Sequence, residues 1–234
     1  MSQSDKLLFI LGAGASVDSG LKTYRGENGI YTSDVNFEPE QILCPEVLYL
    51  DPCGPEKIWS FLRPLYAHIR ATQPGPTYTV LREIFEKYPS SMVLTQNIDS
   101  FARTICPLEN LVELHGSHTY MKCLKCQKVL LTNYDDPKCS CESYCRPDIV
   151  LFDESIPKEK IEKVYRYIKH TVKHIIVVGT TLQFLYLRDI ISKAKSRGGT
   201  VIHINPDDTY ASNVRKNEKW IQMSSAEGLK ALNL

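Results

Sequence analysis

The sequence has no run approaching the roughly 20 uninterrupted apolar residues that a membrane-spanning helix needs. Its first six residues are polar and lead straight into an apolar, strand-like stretch, so no secretory leader is expected. A cytoplasmic or nuclear setting is expected instead, with no membrane as partner. Net charge is nearly absent, +1 at pH 7. No field of one sign therefore advertises nucleic acid as a direct partner. Repeats and low-complexity tracts are missing, as is any Ser/His/Asp or Cys/His pairing of nucleophile and base. Nothing in the sequence speaks to oligomeric state.

What remains is an ordinary globular composition, 43% hydrophobic and 24% charged over 234 residues. That length suits one large domain, or one domain carrying a small inserted module. Four short runs rich in Val, Ile and Leu, residues 7–11, 92–95, 175–178 and 201–204, read as buried parallel strands. Helical spacing covers residues 58–69, 78–87, 158–170 and 185–195 between them. Strand, loop and helix in alternation predict an α/β fold, an open and mostly parallel sheet whose ligand site lies at the carboxyl ends of the strands. Those ends carry Gly12 to Ser16, Gln96 to Asp99, Gly179 to Thr181, and Asn205. Residues 32–55 read as a long loop or small helical insert, and residues 120–145 as a second insert without helical periodicity.

The stretch Gly12-Ala13-Gly14-Ala15-Ser16 follows the first strand. Small residues there let backbone N–H groups approach a pyrophosphate at a helix N-terminus. The third glycine of the dinucleotide fingerprint is absent, since Val17 holds its place and Gly20 comes too late. No acidic residue closes the next strand to read a ribose, which argues against ordinary dehydrogenase use.

Eight cysteines in a reducing setting are not expected to form four disulfides. Five crowd together: Cys123, Cys126, Cys139, Cys141 and Cys145. Two close pairs of thiolates suit one tetrahedral zinc ion, predicted on Cys123, Cys126, Cys139 and Cys141, with Cys145 in reserve for the fourth position. Four sulfur ligands leave no open coordination site, so the zinc is expected to be structural.

Two polar loops complete the set. Thr95-Gln96-Asn97-Ile98-Asp99 follows a buried strand, and Glu113-Leu114-His115-Gly116 follows a shorter apolar stretch. A histidine beside a glycine at a strand end suits a general base, although a lone histidine is more often a satisfied surface or core group. Asn97 and Asp99 also suit turn formation.

Taken together these loops resemble the sirtuin family. The matching stretches are Gly12 to Ser16 with Ser19-Gly20 and Tyr24-Arg25-Gly26, then Thr95 to Asp99, then Glu113 to Gly116. The cysteine pairs follow, then Arg146-Pro147-Asp148-Ile149-Val150 with Phe152 and Glu154, then Gly179-Thr180-Thr181, and last Ile204-Asn205. The resemblance implies a large Rossmann-like NAD-binding domain, residues 1–31, 70–119 and 146–234, and a small domain, residues 32–69 and 120–145, that holds the zinc module. It implies an NAD-dependent protein-lysine deacylase, most simply a deacetylase, that acts on an acyl-lysine protein or peptide and releases nicotinamide and O-acyl-ADP-ribose. Gly12, Ala13, Gly14 and Ser16 would surround the phosphates, with Ala15, Gly20, Tyr24 and Arg25 also among the NAD contacts. Gln96, Asn97, Ile98 and Asp99 would surround the nicotinamide ribose, and Gly179, Thr180, Thr181 and Asn205 the adenosine half. His115 matches the base and Asn97 acts with it. Val150, Phe152, Asp153 and Glu154 match the strand to which substrate peptide adds.

The sequence departs from the family pattern in four places. Thr23 stands where deacetylating members carry Asp, and Asp153 stands where Gly is usual. Phe184 and Tyr186 replace Val and Pro in the peptide-clamping loop. Leu62 and Leu65 occupy the places of the Tyr and Arg with which the desuccinylase branch reads a carboxylate, so an apolar acyl pocket is expected. An NAD hydrolase or ADP-ribosyltransferase on the same fold is the alternative reading, and a non-catalytic NAD sensor the second.

Overall fold

The computed structural model describes residues 4–22 and 39–234. In chain order its strands and α-helices are β1 (Leu7–Leu11), α1 (Pro39–Ile42), α2 (Pro45–Leu50), α3 (Gly54–Ala71), α4 (Pro76–Lys87), β2 (Met92–Thr95), β3 (Leu111–Glu113), β4 (Gly116–Cys123), β5 (Val129–Leu131), β6 (Cys145–Ile149), α5 (Lys158–Ile168), β7 (His174–Val178), α6 (Leu185–Lys195), β8 (Thr200–Ile204), β9 (Lys219–Ile221) and α7 (Ser225–Ala231).

The run Leu-Leu-Phe-Ile-Leu of β1 is wholly buried, as a strand covered on both faces must be. Its side chains alternate between two cores. Leu7, Phe9 and Leu11 join α3 and α4 through Trp59, Leu62, Tyr66 and Leu81. Leu8 and Ile10 join α5 and α6 through Val164, Ile168, Leu187 and Ile190. The main sheet has the order β3-β2-β1-β7-β8-β9, and every pairing in it is parallel. Chain direction across the sheet reverses between β1 and β7, so the crevice above their carboxyl ends is the topological switch point at which such sheets bind ligands.

A second, antiparallel sheet has the order β5-β4-β6. The segment without helical periodicity therefore contains strand structure, and its sheet extends from Gly116 to Ile149. The irregular stretch before α3 holds the short helices α1 and α2, each opening on a proline, the residue best suited to a first helical turn. Residues 32–38 lie outside the described part of the chain.

Candidate active site and metal centre

Five loops meet at the carboxyl edge of the main sheet. The glycine turn after β1 is packed directly against the loop after β7. The N–H of Gly12 donates to the Val178 carbonyl and that of Gly14 to the Gly179 carbonyl, both at 2.9 Å. A Cβ on Gly14 would sit 2.6 Å from Gly179 Cα, so no other residue fits without moving a loop. Gly179 itself has φ +59. These glycines thus secure the close approach of two backbones, and their N–H groups are used within the protein. Gly20 closes the short 3-10 helix (Ala13–Ser19) by donating to the Ser16 and Val17 carbonyls.

Asn97 locks this turn to the loop after β2. Its Nδ2 donates to the Gly12 carbonyl at 3.0 Å and to Ser16 Oγ at 3.1 Å. Ser16 Oγ donates to Asp99 Oδ2 at 2.6 Å and lies 2.7 Å from the Tyr78 hydroxyl. The second Asp99 oxygen accepts the Phe101 N–H. Burial raises the proton affinity of Asp99, against the lowering effect of the Ser16 and Phe101 bonds. Asp99 therefore holds Ser16 in place through one of its oxygens. Gln96 ties the same loop to the loop after β7 by donating to Thr180 Oγ1 at 2.9 Å. Ile98 packs against the core, and its carbonyl accepts the His118 N–H. Asn205 turns its Oδ1 back to the Asp207 N–H, while Thr181 is exposed. Tyr24 and Arg25 lie outside the described residues.

His115 follows β3. Its Nε2 is 2.8 Å from the Tyr186 hydroxyl, and Phe184 stands edge-on to the ring at 5.7 Å. Burial is the main cause that lowers its pKa to about 4; a bond to the Gln96 backbone opposes this, and the Lys160 charge adds to it. The imidazole is consequently neutral at physiological pH and keeps a lone pair for a proton.

The segment after β6 is anchored rather than free. The Val150 N–H donates to the His115 carbonyl at 2.9 Å and the Phe152 N–H to the Leu43 carbonyl at 2.8 Å. Arg146 grips both Glu154 oxygens, at 2.6 and 2.7 Å. The Glu154 carboxylate thus sets the shape of the turn. Between them Asp153 is exposed and has φ +63, a backbone state that glycine adopts freely and that costs other L-residues energy. Asp153→Gly is expected to raise stability by up to about 1 kcal/mol in chemical denaturation; a loss of stability would show that the aspartate side chain contributes more than its backbone costs.

At the far end of β4, the sulfur atoms of Cys123, Cys126, Cys139 and Cys141 all lie within 4.8 Å of one another. Cys123 and Cys141 are 3.5 Å apart, and Cys126 and Cys139 3.6 Å. Tetrahedral zinc with bonds of about 2.3 Å needs sulfur separations of about 3.8 Å, so the four thiols fit zinc. The Cys126 N–H reaches Cys123 Sγ at 3.3 Å and is the main cause that draws that thiol down to about 6. Cys145 stands outside the tetrad, and burial with neighbouring thiolates pushes it up to about 12. It is Cys141, not Cys145, that completes the group of four sulfurs.

Tyr78 and Ser225 were not read from the sequence as site residues. Tyr78 sits at helical spacing in α4 and looks like core, yet a buried tyrosine hydroxyl needs a partner, and this one finds Ser16. Ser225, at the start of α7, donates to the Gly14 carbonyl at 3.0 Å. It comes from the far end of the chain, where no local pattern marks it.

The strand order and the gathered loops define a dinucleotide-binding α/β protein of the doubly wound class, and the sulfur tetrad adds a structural zinc module. Comparison with known proteins narrows this. The Sir2 family model matches residues 12–185, and the chain belongs to that family. The NAD-dependent protein deacylase 2 of Pseudomonas aeruginosa is 32% identical over 222 residues, covering 91% of this chain and 86% of its own. The NAD-dependent protein deacylase of Pyrococcus abyssi is 30% identical, with coverage of 89% and 85%. A solved complex of a mutant Sir2 homologue with ADP-ribose superposes with a TM-score of 0.80 at 27% identity, over 98% of this chain and 94% of its own. A complex of a Sir2 homologue with NAD gives 0.79 at 27% identity, over 97% and 87%.

Proposed function

We propose that the protein is an NAD-dependent protein-lysine deacylase, acting on acylated protein with NAD as co-substrate and with a structural zinc ion. The observation that carries the reading is a neutral, partly buried His115 at the same sheet edge as the Asn97–Ser16–Asp99 network. NAD supplies an electrophilic ribose carbon. The acyl oxygen of the modified lysine attacks it and nicotinamide departs. His115 then takes a ribose hydroxyl proton, so that the ribose oxygen attacks the acyl carbon, and water completes release of lysine and O-acyl-ADP-ribose. Asn97, Ser16 and Tyr78 hold the glycine turn and β2 loop in register, the positioning such a reaction requires. We also assign residues 1–31, 70–119 and 146–234 to a large NAD-binding domain, and 32–69 and 120–145 to a small one.

The acyl preference follows from α3. Leu62 is buried in the core and Leu65 packs against it. Arg63 pairs with Glu56 at 2.9 Å, and Tyr66 is buried against Trp59 and Tyr134. These side chains provide no reader for an acyl carboxylate, and leaving one buried without a partner costs roughly several kcal/mol. With NAD and an acetylated peptide, mass analysis should find nicotinamide and acetyl-ADP-ribose, and NAD should persist when peptide is withheld. An equimolar succinylated peptide should turn over more slowly. Rapid NAD loss without peptide would favour an NAD hydrolase, and faster succinyl turnover would overturn the pocket assignment.

A further inference from the structure

The base lone pair of His115 is occupied. Nε2 lies 2.8 Å from the Tyr186 hydroxyl, and the ring also bonds the backbone of Gln96. The Gln96 N–H is already given to the Leu11 carbonyl, so it is the Gln96 carbonyl that faces the ring and favours a ring N–H. With Tyr186 at Nε2 and this carbonyl beside the ring, we infer the neutral tautomer with its proton on Nδ1. Nε2 is then the acceptor, and Tyr186 donates to it. Tyr186 is partly buried, and burial raises its pKa, so the phenol keeps its proton to donate. Phe184 stacks on Tyr186 at 5.4 Å and meets the His115 ring edge-on, which holds the two aromatic groups over the imidazole. Held from both sides, His115 has no lone pair open to a ligand; the Tyr186 oxygen does.

We propose that Tyr186 is the proton relay of the deacylation step, standing between the ribose hydroxyl of the substrate and His115. This rests on the deacylase reading. As the ribose oxygen attacks the acyl carbon, its proton passes to the Tyr186 oxygen while the Tyr186 proton passes to Nε2. The tyrosine ends as it began, imidazolium is left on His115, and the ribose oxygen keeps the electron pair that forms the new C–O bond. Phe184 is the positioning residue that holds the relay. A rival arrangement has the same tyrosine as a mere plug that NAD pushes aside, with the loss of one hydrogen bond.

Two substitutions separate these. Tyr186→Phe keeps the ring over Nε2 and removes the conductor, whereas Tyr186→Ala removes both and opens Nε2 to the ribose or to water. A relay predicts that deacylation falls about tenfold or more in the Phe variant and is higher in the Ala variant than in the Phe variant. Exchange of labelled nicotinamide into NAD with acetyl-peptide, which precedes the proton transfer, should stay near the wild-type rate in Tyr186→Phe. A residue that only supports the fold would give the opposite order, because the larger truncation does more damage. NMR titration of His115 without NAD supplies a second readout. The groups facing the ring are the Gln96 carbonyl, the Lys160 ammonium from α5, Phe184 and Tyr186. Loss of the hydroxyl donor, which favours the neutral ring, should raise the His115 pKa in Tyr186→Phe. The proposal is overturned if Tyr186→Phe deacylates within about twofold of wild type, if Ala falls below Phe, or if His115 titrates alike in both proteins. Failure of the deacylase reading would look different: the wild-type protein would then give neither exchange nor deacylation.

Discussion

His115→Ala will stop deacylation while nicotinamide exchange continues. Loss of a general base costs about 10²–10⁴-fold in rate, and the proton transfer assigned to His115 follows nicotinamide departure, so exchange dependent on acyl-peptide should survive. Asn97→Ala is expected to behave differently. Its amide donates to both the Gly12 carbonyl and Ser16 Oγ, so its loss loosens the whole turn and should depress exchange together with deacylation. The pH profile adds a second expectation. Burial holds His115 at about 4 in the unliganded protein. A base is lost only when protonated, and kcat/KM reports the unliganded enzyme, so its acid limb should lie nearer 4 than the ordinary value of about 6.5. Near-normal deacylation by His115→Ala would mean that another group is the base, and would remove the main support for the proposed function.

Much of the fold was legible because the main sheet is parallel and doubly covered. Buried strands of that kind are continuous apolar runs, and residues 7–11 and 92–95 were read to the residue. The runs at 175–178 and 201–204 each begin one residue earlier, at His174 and Thr200. Those two positions carry polar side chains and lie where partial exposure begins, so hydropathy alone does not claim them. β9 was missed for a related reason. It is an edge strand of three residues, none of them buried, and it is held by pairing with β8 that leaves no local trace. The small sheet was missed because β4 and β5 carry Lys, Thr, His and exposed apolar side chains in no regular alternation.

The site was legible in its loops and less so in their use. The small residues of the turn suggest N–H groups brought to a pyrophosphate; in the fold the Gly12 and Gly14 N–H groups go to the Val178 and Gly179 carbonyls, and Gly14 meets Gly179 across 165 residues of sequence. Asp99 and Glu154 also have a structural use that no local pattern displays: their oxygens hold Ser16 and Arg146. Tyr186 could be seen only as a departure from a pattern, since what it touches depends on where β3 and α6 meet.

Removal of the zinc ion should damage stability far more than chemistry. The four thiols come from the end of β4 and from two turns, and the sheet they close has strands of eight, three and five residues. Its edge strand β5 has two of its three residues exposed, so little buried area replaces the metal. Structural zinc sites contribute about 10–16 kcal/mol of apparent binding energy in small peptides, more than most domains hold in reserve. Cys123→Ser should therefore bind almost no zinc and melt at a much lower temperature. Cys145→Ala tests the assignment from the other side: Cys145 pairs with Cys123 across the sheet but lies outside the tetrad, so that variant should keep one zinc per chain. Cys123 and Gly116 are the two ends of β4, seven residues apart, or about 24 Å of extended strand at about 3.4 Å per residue, so the metal sits at the end of the strand away from His115. Any Cys123→Ser protein that remains folded should thus deacylate at a rate per molecule close to wild type. Elemental analysis of native protein showing well under one zinc per chain, or a Cys145→Ala variant as zinc-poor as Cys123→Ser, would overturn the ligand set.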